Sequence, residues 1–249
     1  MTKLYTEYAD LYHKMYQSFI DYDEEYKFYK ELLDRHEAKN ILEIGCGTGQ
    51  LAKRFLNDGY MYTGIDVSLP MLEYARKELP AFHFHQMDMR DINLPSAFDG
   101  VIITARSISY ILANNDVMAT FKSVRKILKD RGVLIFDFID AKSFIPSINE
   151  KEIISHEVVI DNLTYKRESI FEKHIDNNWN WIWKSTFFKE GKSGYENIGS
   201  DEAELRTFTA DELEVFLTLA GFNVSKMLDR RVYAFDTKVI LARQTGRDK

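Results

Sequence analysis

The chain has 249 residues, with 33 Lys plus Arg against 39 Asp plus Glu, so its formal net charge is −6. Apolar residues make up 45%, enough for a full core, which excludes a disordered or collagen-like chain. The acidic balance argues against non-specific nucleic-acid binding, and a single cysteine, Cys46, excludes an intramolecular disulfide, a CxxC redox pair and a cysteine zinc cluster.

No segment approaches the roughly 18 apolar residues of a membrane span. The start carries Glu7 and Asp10 and no apolar run, unlike a secretory signal. The expectation is a cytoplasmic protein with no membrane partner. Residues 1–38 read as helical and rich in tyrosine. Tyr5, Tyr8, Tyr12 and Tyr16 recur at three and four residues and so share a helical face. That face is either a core-facing stripe or a cap over a ligand pocket. From residue 40, short apolar runs alternate with amphipathic helices. Ile41–Ile44 reads as a strand, Leu51, Ala52 and Phe55 as the inner face of a helix ended by Asp58-Gly59, and Tyr60–Ile65 as a second strand. Ser68 can cap the next helix, which buries Met71, Leu72, Ala75 and Leu79. Phe82–Met87 and Phe98–Thr104 follow as strands. A helix through Val117, Phe121, Val124 and Leu128 precedes the apolar strand Val133–Phe136. This alternation implies βαβ crossovers and a mostly parallel sheet.

Residues 150–206 change period. Glu152–Ile160, Leu163–Ile175, Trp179–Lys189 and Tyr195–Arg206 read as strands joined by short turns, an antiparallel meander. Alternation would put Trp179, Trp181 and Trp183 on one face. Thr209 to Glu212 form a capping box ahead of Leu213, Phe216, Leu217 and Ala220. Phe222–Leu228 and Val232–Ala242 are expected to pair, and Gln244–Lys249 to fray.

The stretch Glu43-Ile44-Gly45-Cys46-Gly47-Thr48-Gly49 sits between a strand and a helix, where a ligand can approach the backbone closely. A dinucleotide fingerprint requires Gly-x-Gly-x-x-Gly, but position 50 is Gln; no Gly-Lys-Ser/Thr follows for a P-loop. The E-x-G-x-G-x-G loop resembles motif I of the class I S-adenosylmethionine-dependent methyltransferases. Tyr62 to Ser68, His85 to Met89, Asp99 to Ile103 and Leu128 to Leu134 resemble that family's later motifs, in its order. The resemblance implies an α/β fold: a Rossmann-like, mostly parallel seven-stranded sheet with flanking helices, plus an antiparallel β insertion after the fifth strand. It implies S-adenosyl-L-methionine as cofactor, with Asp66 on the ribose hydroxyls and Val67 beside it, Glu43 near the methionine amino group, Met71 on the adenine face, and Asp88 and Met89 at the adenine edge. Gly45, Cys46, Gly47, Gly49 and Ala105 would complete the cofactor wall. Asp88 also reads as part of a solvated, salt-bridged loop with Arg90 and Asp91. Cys46 reads as a small filler rather than a nucleophile.

The leader, Tyr8-Ala9-Asp10-Leu11-Tyr12 with Asp21-Tyr22, and the antiparallel insertion are similar to those of bacterial small-molecule N-methyltransferases, including amino-sugar enzymes. This likeness implies Tyr12 and Tyr22 as lid residues over the cofactor. The expected domains are a helical cap (1–38), a cofactor-binding domain (39–149 and 207–249), and an insertion (150–206) that is an acceptor lid or dimer contact. An exposed antiparallel edge is a surface where two copies could pair as a homodimer. The place after the fourth strand reads Thr104-Ala105-Arg106-Ser107, with no Pro-Pro anywhere, unlike enzymes that methylate exocyclic amino groups of nucleic-acid bases. Asp137 and Asp140 do not reproduce a metal cluster, so no metal is expected. The reading is methyl transfer to a small molecule, at nitrogen or oxygen, by in-line displacement, with Tyr110 and Tyr12 as catalytic candidates acting by position. His83 and His85 read as sheet residues; His156 or His174 could line the pocket. The alternatives are a nicotinamide-dependent oxidoreductase and a non-catalytic cofactor-binding module.

Overall fold

A computed structural model describes residues 2–95, 98–174, 176, 179–232 and 235–246. After a 3-10 turn at Lys3–Tyr5 come α1 (Ala9–Phe19), α2 (Tyr22–Asp34), β1 (Asn40–Ile44), α3 (Gln50–Asn57), β2 (Met61–Asp66), α4 (Leu69–Glu78), β3 (His83–Gln86) and β4 (Phe98–Ile103). A 3-10 turn at Ser107–Tyr110 leads to α5 (Asn114–Ile127), β5 (Leu128–Ile139) and α6 (Ala141–Ser147). The chain continues through β6 (Ile154–Ile160), β7 (Leu163–Lys173), β8 (Asn180–Gly191) and β9 (Gly194–Arg206), then α7 (Ala210–Leu219), β10 (Phe222–Val232) and β11 (Phe235–Gln244).

Seven strands form the main sheet in the order β10-β11-β5-β4-β1-β2-β3. Only β10 and β11 run against their neighbours. Each central strand alternates its side chains between two cores. Leu42 and Ile44 pack with Val101, Phe121 and Phe136 under α5 and α7, while Ile41 packs with Leu33, Phe55 and Ile135 under α2, α3 and α4. Burial on both faces is why these strands read as unbroken apolar runs. The expected caps are present: Ser68 Oγ accepts from the Met71 N–H at 3.3 Å and Thr209 Oγ1 from the Glu212 N–H at 3.2 Å. The order reverses at β1, flanked by β4 and β2, so a crevice opens beyond the carboxyl ends of these strands.

β6 to β9 form a separate antiparallel sheet in sequence order. Asp161 and Asn162, at φ of 52° and 62°, make the tight turn whose twist suits a two-residue hairpin. Arg206 ties this sheet to the main domain. Its guanidinium is fully buried and donates to the Leu112 carbonyl at 2.8 Å, to Asn114 at 2.7 Å and to Glu212.

Several sequence expectations are corrected. Tyr5 and Tyr8 precede α1, because the first turns dock elsewhere: the Lys3 N–H donates to Asp201 at 2.7 Å. Leu128 opens β5 rather than ending α5, since it pairs with Phe98. The helix α6, capped by Asp140, is an addition to the expected elements. Trp179 lies in a left-handed turn at φ 62° and is exposed, so only Trp181 and Trp183 share the inner face. Gln244 is a buried strand residue, not part of a tail, and Thr245 bonds Gly221; residues 247–249 lie outside the described residues. Val232 closes β10 rather than opening β11. Of the turn expected at Asp176-Asn177-Asn178, Asn177 and Asn178 likewise lie outside the described residues.

Candidate active site

The glycine loop is held by β2: the Gly45 and Cys46 N–H groups donate to the Ile65 carbonyl at 2.8 and 3.1 Å. Gly45 has φ 73°, and a Cβ there would sit 2.2 Å from Ser107 Oγ. Only glycine lets the loop pass this close to the turn after β4. Gly49, at φ 75°, starts α3 and packs toward Phe84 and Ala75. It shapes the loop without lining a cavity.

Asp66 ends β2. Its carboxylate accepts from the Gly47 N–H at 2.9 Å and the Ser68 N–H at 2.8 Å. Two of about four acceptor positions are thereby used, leaving room for a vicinal diol. Glu43 is buried at the loop's base, accepting from the Tyr62 hydroxyl and from Thr104 Oγ1 at 2.8 Å. Burial pushes its carboxyl up to about 7, against those two hydrogen bonds. On β5, burial likewise pushes Asp137 to about 6, although the neighbouring Arg106 guanidinium and N–H oppose this. Burial raises Asp66 as well. Three carboxylates at the strand ends, each costly to ionise without a counter-charge, form a floor matched to a cationic ligand. S-adenosylmethionine carries both an ammonium and a sulfonium, and its ribose is a diol, so the donor and acceptor set fits.

A cavity of about 600 Å³ runs from this floor to the inner face of the inserted sheet. Tyr12, Gly45, Gly47, Asp66, Val67, Met71, Asp88, Met89, Ala105 and Tyr110 line it. Glu43, Cys46 and Tyr22 line a narrow adjoining cleft with Tyr12, Gly45 and Ala105. Thus the structure brings together every cofactor residue singled out from the sequence except Gly49. Met71 is buried, with its terminal methyl beside Gly47. Asp88 lines the wall, but Arg90 grips its carboxylate at 2.6 and 3.0 Å and holds it below the usual carboxylate range. Asp88 is thus salt-bridged to Arg90, as in a solvated loop, and also lines the cavity. Ala105 and Arg106 adopt φ of 53° and 60°, a strained pair of non-glycine residues at the mouth.

Sequence reasoning missed the latch of the leader. His13 Nδ1 lies 3.0 Å from Thr48 Oγ1 in the glycine loop, its ring against Tyr74, and Ser68 Oγ donates to the Tyr5 carbonyl. A histidine three residues before Tyr16 gives no sign of this partner. Leu4, Met15, Tyr16 and Ile20 pack on Val158 and Phe187 of the insertion, whereas Tyr29, Leu32 and Leu33 of α2 join the main core. Tyr5, Tyr12 and Tyr16 line the cavity, so the tyrosine face caps a pocket and packs a small core at once. His156 lines the cavity; His83 and His85 lie in β3.

Cys46 is buried against Gly64, and burial raises its thiol well above its ordinary range. Cys46→Ala is expected to cost about 1 kcal/mol of stability and to retain methyl transfer. The native thiol should react with a disulfide reagent only on unfolding. Rapid native-state labelling, or loss of turnover in the folded variant, would contradict this.

Comparison with known proteins agrees. A methyltransferase-domain family model matches residues 41–132. A Geobacillus sp. (strain WCH70) protein named as a methyltransferase is 31% identical over 211 residues, covering 76% of each chain. A dTDP-3-amino-3,4,6-trideoxy-α-D-glucopyranose N,N-dimethyltransferase of Streptomyces venezuelae is 33% identical over 101 residues, 41% of this chain and 43% of that one. The crystal structure of Streptomyces venezuelae DesVI superposes with a TM-score of 0.81 at 26% identity, covering 94% of this chain and 97% of that one. With the ordered motifs, the seven-stranded sheet and the carboxylate floor, these matches place the chain in the class I S-adenosylmethionine-dependent methyltransferases.

Proposed function

We propose that the enzyme methylates a small-molecule acceptor, at an amine nitrogen or alternatively a hydroxyl oxygen, inside the cavity between the leader and the inserted sheet. One observation carries this reading. The cavity continues without a break from the cofactor floor at Gly45 and Asp66 to Tyr110, Trp181 and Trp183, and about 600 Å³ suits a compact molecule rather than a polymer. The amino-sugar substrate in the name of the Streptomyces venezuelae relative supports nitrogen.

The bound cofactor supplies an activated methyl whose leaving group is a neutral thioether, so no leaving-group acid is required. The chain's own residues bind, orient and exclude water. Asp66 takes the ribose diol and Glu43 the ammonium. Met71, Val67 and Met89 pack the base, Asp88 lies at its edge, Gly45, Cys46, Gly47 and Ala105 shape the wall, and Gly49 holds the loop behind it. Tyr12 and Tyr22 close the leader side. Residues 1–20 together with 150–206 form the acceptor-side cover. Tyr110 and Tyr12 face the acceptor as positioning groups. The Tyr110 hydroxyl lies 2.7 Å from that of Tyr5, and burial raises its phenol further above neutrality, so it holds its proton rather than accepting one. In-line approach geometry and exclusion of water can supply several kcal/mol of the rate.

Incubation with methyl-labelled S-adenosylmethionine and a panel of amines and hydroxy compounds tests the proposal. Label is expected in an amine product, with kcat reduced about tenfold in Tyr110→Phe for loss of one positioned hydrogen bond. Cofactor binding without transfer to any member of the panel would refute it.

A further inference from the structure

We propose that the inner face of the inserted sheet carries an oxyanion subsite, centred on Arg167 and the indole N–H groups of Trp181 and Trp183, that takes a carboxylate or phosphate group of the methyl acceptor. This rests on the small-molecule reading above and adds to it the charge of the acceptor. Arg167 lies on β7 and is only 3% exposed. Its guanidinium sits 5.2 Å from the Trp183 ring centroid and 5.4 Å from that of Tyr16, and Nη1 donates to the Tyr16 hydroxyl at 2.7 Å. Among the described residues no carboxylate pairs with it, and its Nε has no hydrogen-bond partner. Nor have the Nε1 atoms of Trp181, which is fully buried, and of Trp183. All three side chains line the methyltransferase cavity.

Two other arginines in comparable settings show what a purely structural role looks like. Arg206 on β9 is fully buried; its Nε is unpartnered too, but its Nη groups donate to Leu112 and Asn114 and pair with the Glu212 carboxylate. Arg230 on β10 is paired by both Nη atoms to the Glu25 carboxylate, at 2.7 and 3.0 Å. Buried charges are ordinarily paired in this way, because an unpaired one is costly. Arg167 differs from both in having no carboxylate partner, and beyond the Tyr16 hydroxyl the nearby Trp183 indole adds a donor. Arg and Trp side chains are donor-only groups, so the three together offer hydrogen atoms and a positive charge with nothing to receive a proton in return. A ligand that completes them is rich in acceptors and negatively charged. The guanidinium fork suits a planar carboxylate or two phosphate oxygens. His156, directly across the β6–β7 ladder from Arg167, adds an unpartnered Nδ1 on the same wall; burial and the Arg167 charge favour its neutral form, which can donate there. Arg167 and the two tryptophans lie on β7 and β8 and Asp66 at the end of β2, all lining one cavity that Glu202 and Glu204 of β9 also line, while Glu43 and Asp137 line the adjoining cleft. The acceptor's anion would therefore be held at the inserted sheet, with its nucleophilic atom directed toward the cofactor methyl.

The test uses full-length protein labelled with 15N at tryptophan and saturated with S-adenosylhomocysteine. Inorganic phosphate and, separately, acetate are titrated at constant ionic strength, with chloride as the control. The expected result is a saturable shift of the Trp181 and Trp183 indole signals, with exposed Trp179 unmoved. Anion affinity should fall at least ~tenfold in Arg167→Gln and detectably in Trp183→Phe, while both variants still bind S-adenosylhomocysteine, which reports that they are folded. A response to phosphate alone assigns a phosphate-bearing acceptor, and to acetate alone a carboxylate. Silent indoles with both anions, an equal response to chloride, or undiminished affinity in the folded Arg167→Gln protein would overturn the subsite. Failure of the small-acceptor reading is seen separately, as absence of methyl transfer in the amine and hydroxyl panel, which this titration does not measure.

Discussion

Asp66→Ala is expected to weaken binding of S-adenosylmethionine, and of its thioether product, about a hundredfold while leaving the melting temperature within a few degrees of the parent. The carboxylate has two acceptor positions left for the ribose diol, and each charged hydrogen bond contributes roughly 1.5–3 kcal/mol. Losing two of them at the lower end of that range accounts for a factor of this size. The fold is spared because two effects oppose each other. The Gly47 and Ser68 N–H groups lose an acceptor, but a carboxylate that burial makes costly to ionise is also removed. Asp66→Asn, which keeps an oxygen for one donor, should fall between the two. Calorimetric titration measures this directly, and parental affinity in Asp66→Ala would remove the residue from the site.

Glu43→Gln should bind the cofactor at least ~tenfold more weakly and yet be the more stable protein above neutral pH. The buried carboxyl titrates at about 7, against an ordinary 4.5. Between those values the native state holds a proton that the unfolded chain has released. Unfolding stability therefore falls as pH rises from about 4.5 and reaches its full deficit above about 7, of the order of 3 kcal/mol for this shift. A neutral glutamine removes the titration. The variant's melting temperature should decline only while Asp137 titrates, to about pH 6, whereas the parent's declines more steeply and on to about 7. In the proposed role of Glu43, cofactor binding would reverse the logic in the parent, an ammonium beside it supplying the missing counter-charge. Binding at pH 7 should then release protons, seen as a dependence of the calorimetric heat on buffer ionisation enthalpy. Identical pH–stability slopes for the two proteins, with no buffer dependence, would show that Glu43 is not the titrating group.

Both residues lie where the amino-acid order is most informative. Strand, glycine loop, helix and the next strand follow one another directly from Asn40 to Asp66. The geometry there depends on local constraints: left-handed backbone at Gly45 and Gly49, alternation of apolar residues in β1, and a serine cap on α4. The leader is less legible. Its tyrosine spacing shows a face but not its two neighbours, because His13 meets Thr48 across 35 positions and Tyr16 meets Arg167 across 151. Trp179 escapes the alternation rule because a left-handed turn precedes β8, and α6 escapes notice because a single capping aspartate, Asp140, is a weak signal.

From residue order alone came the α/β class, the glycine loop after β1 and the antiparallel insertion, while the cofactor and the proposed ribose role of Asp66 came from the likeness of the ordered motifs to the methyltransferase family. The first three follow from near-neighbour sterics, hydrogen bonding and the period of apolar residues, which act over a few positions. Tertiary structure decided which groups are buried together: the raised carboxyls of Glu43 and Asp137, the latch of α1 on the glycine loop, and an arginine between Tyr16 and Trp183 without a carboxylate partner. Those properties depend on the dielectric surroundings and on partners distant in the chain, and both come into being only when the sheet, the leader and the insertion close on one another.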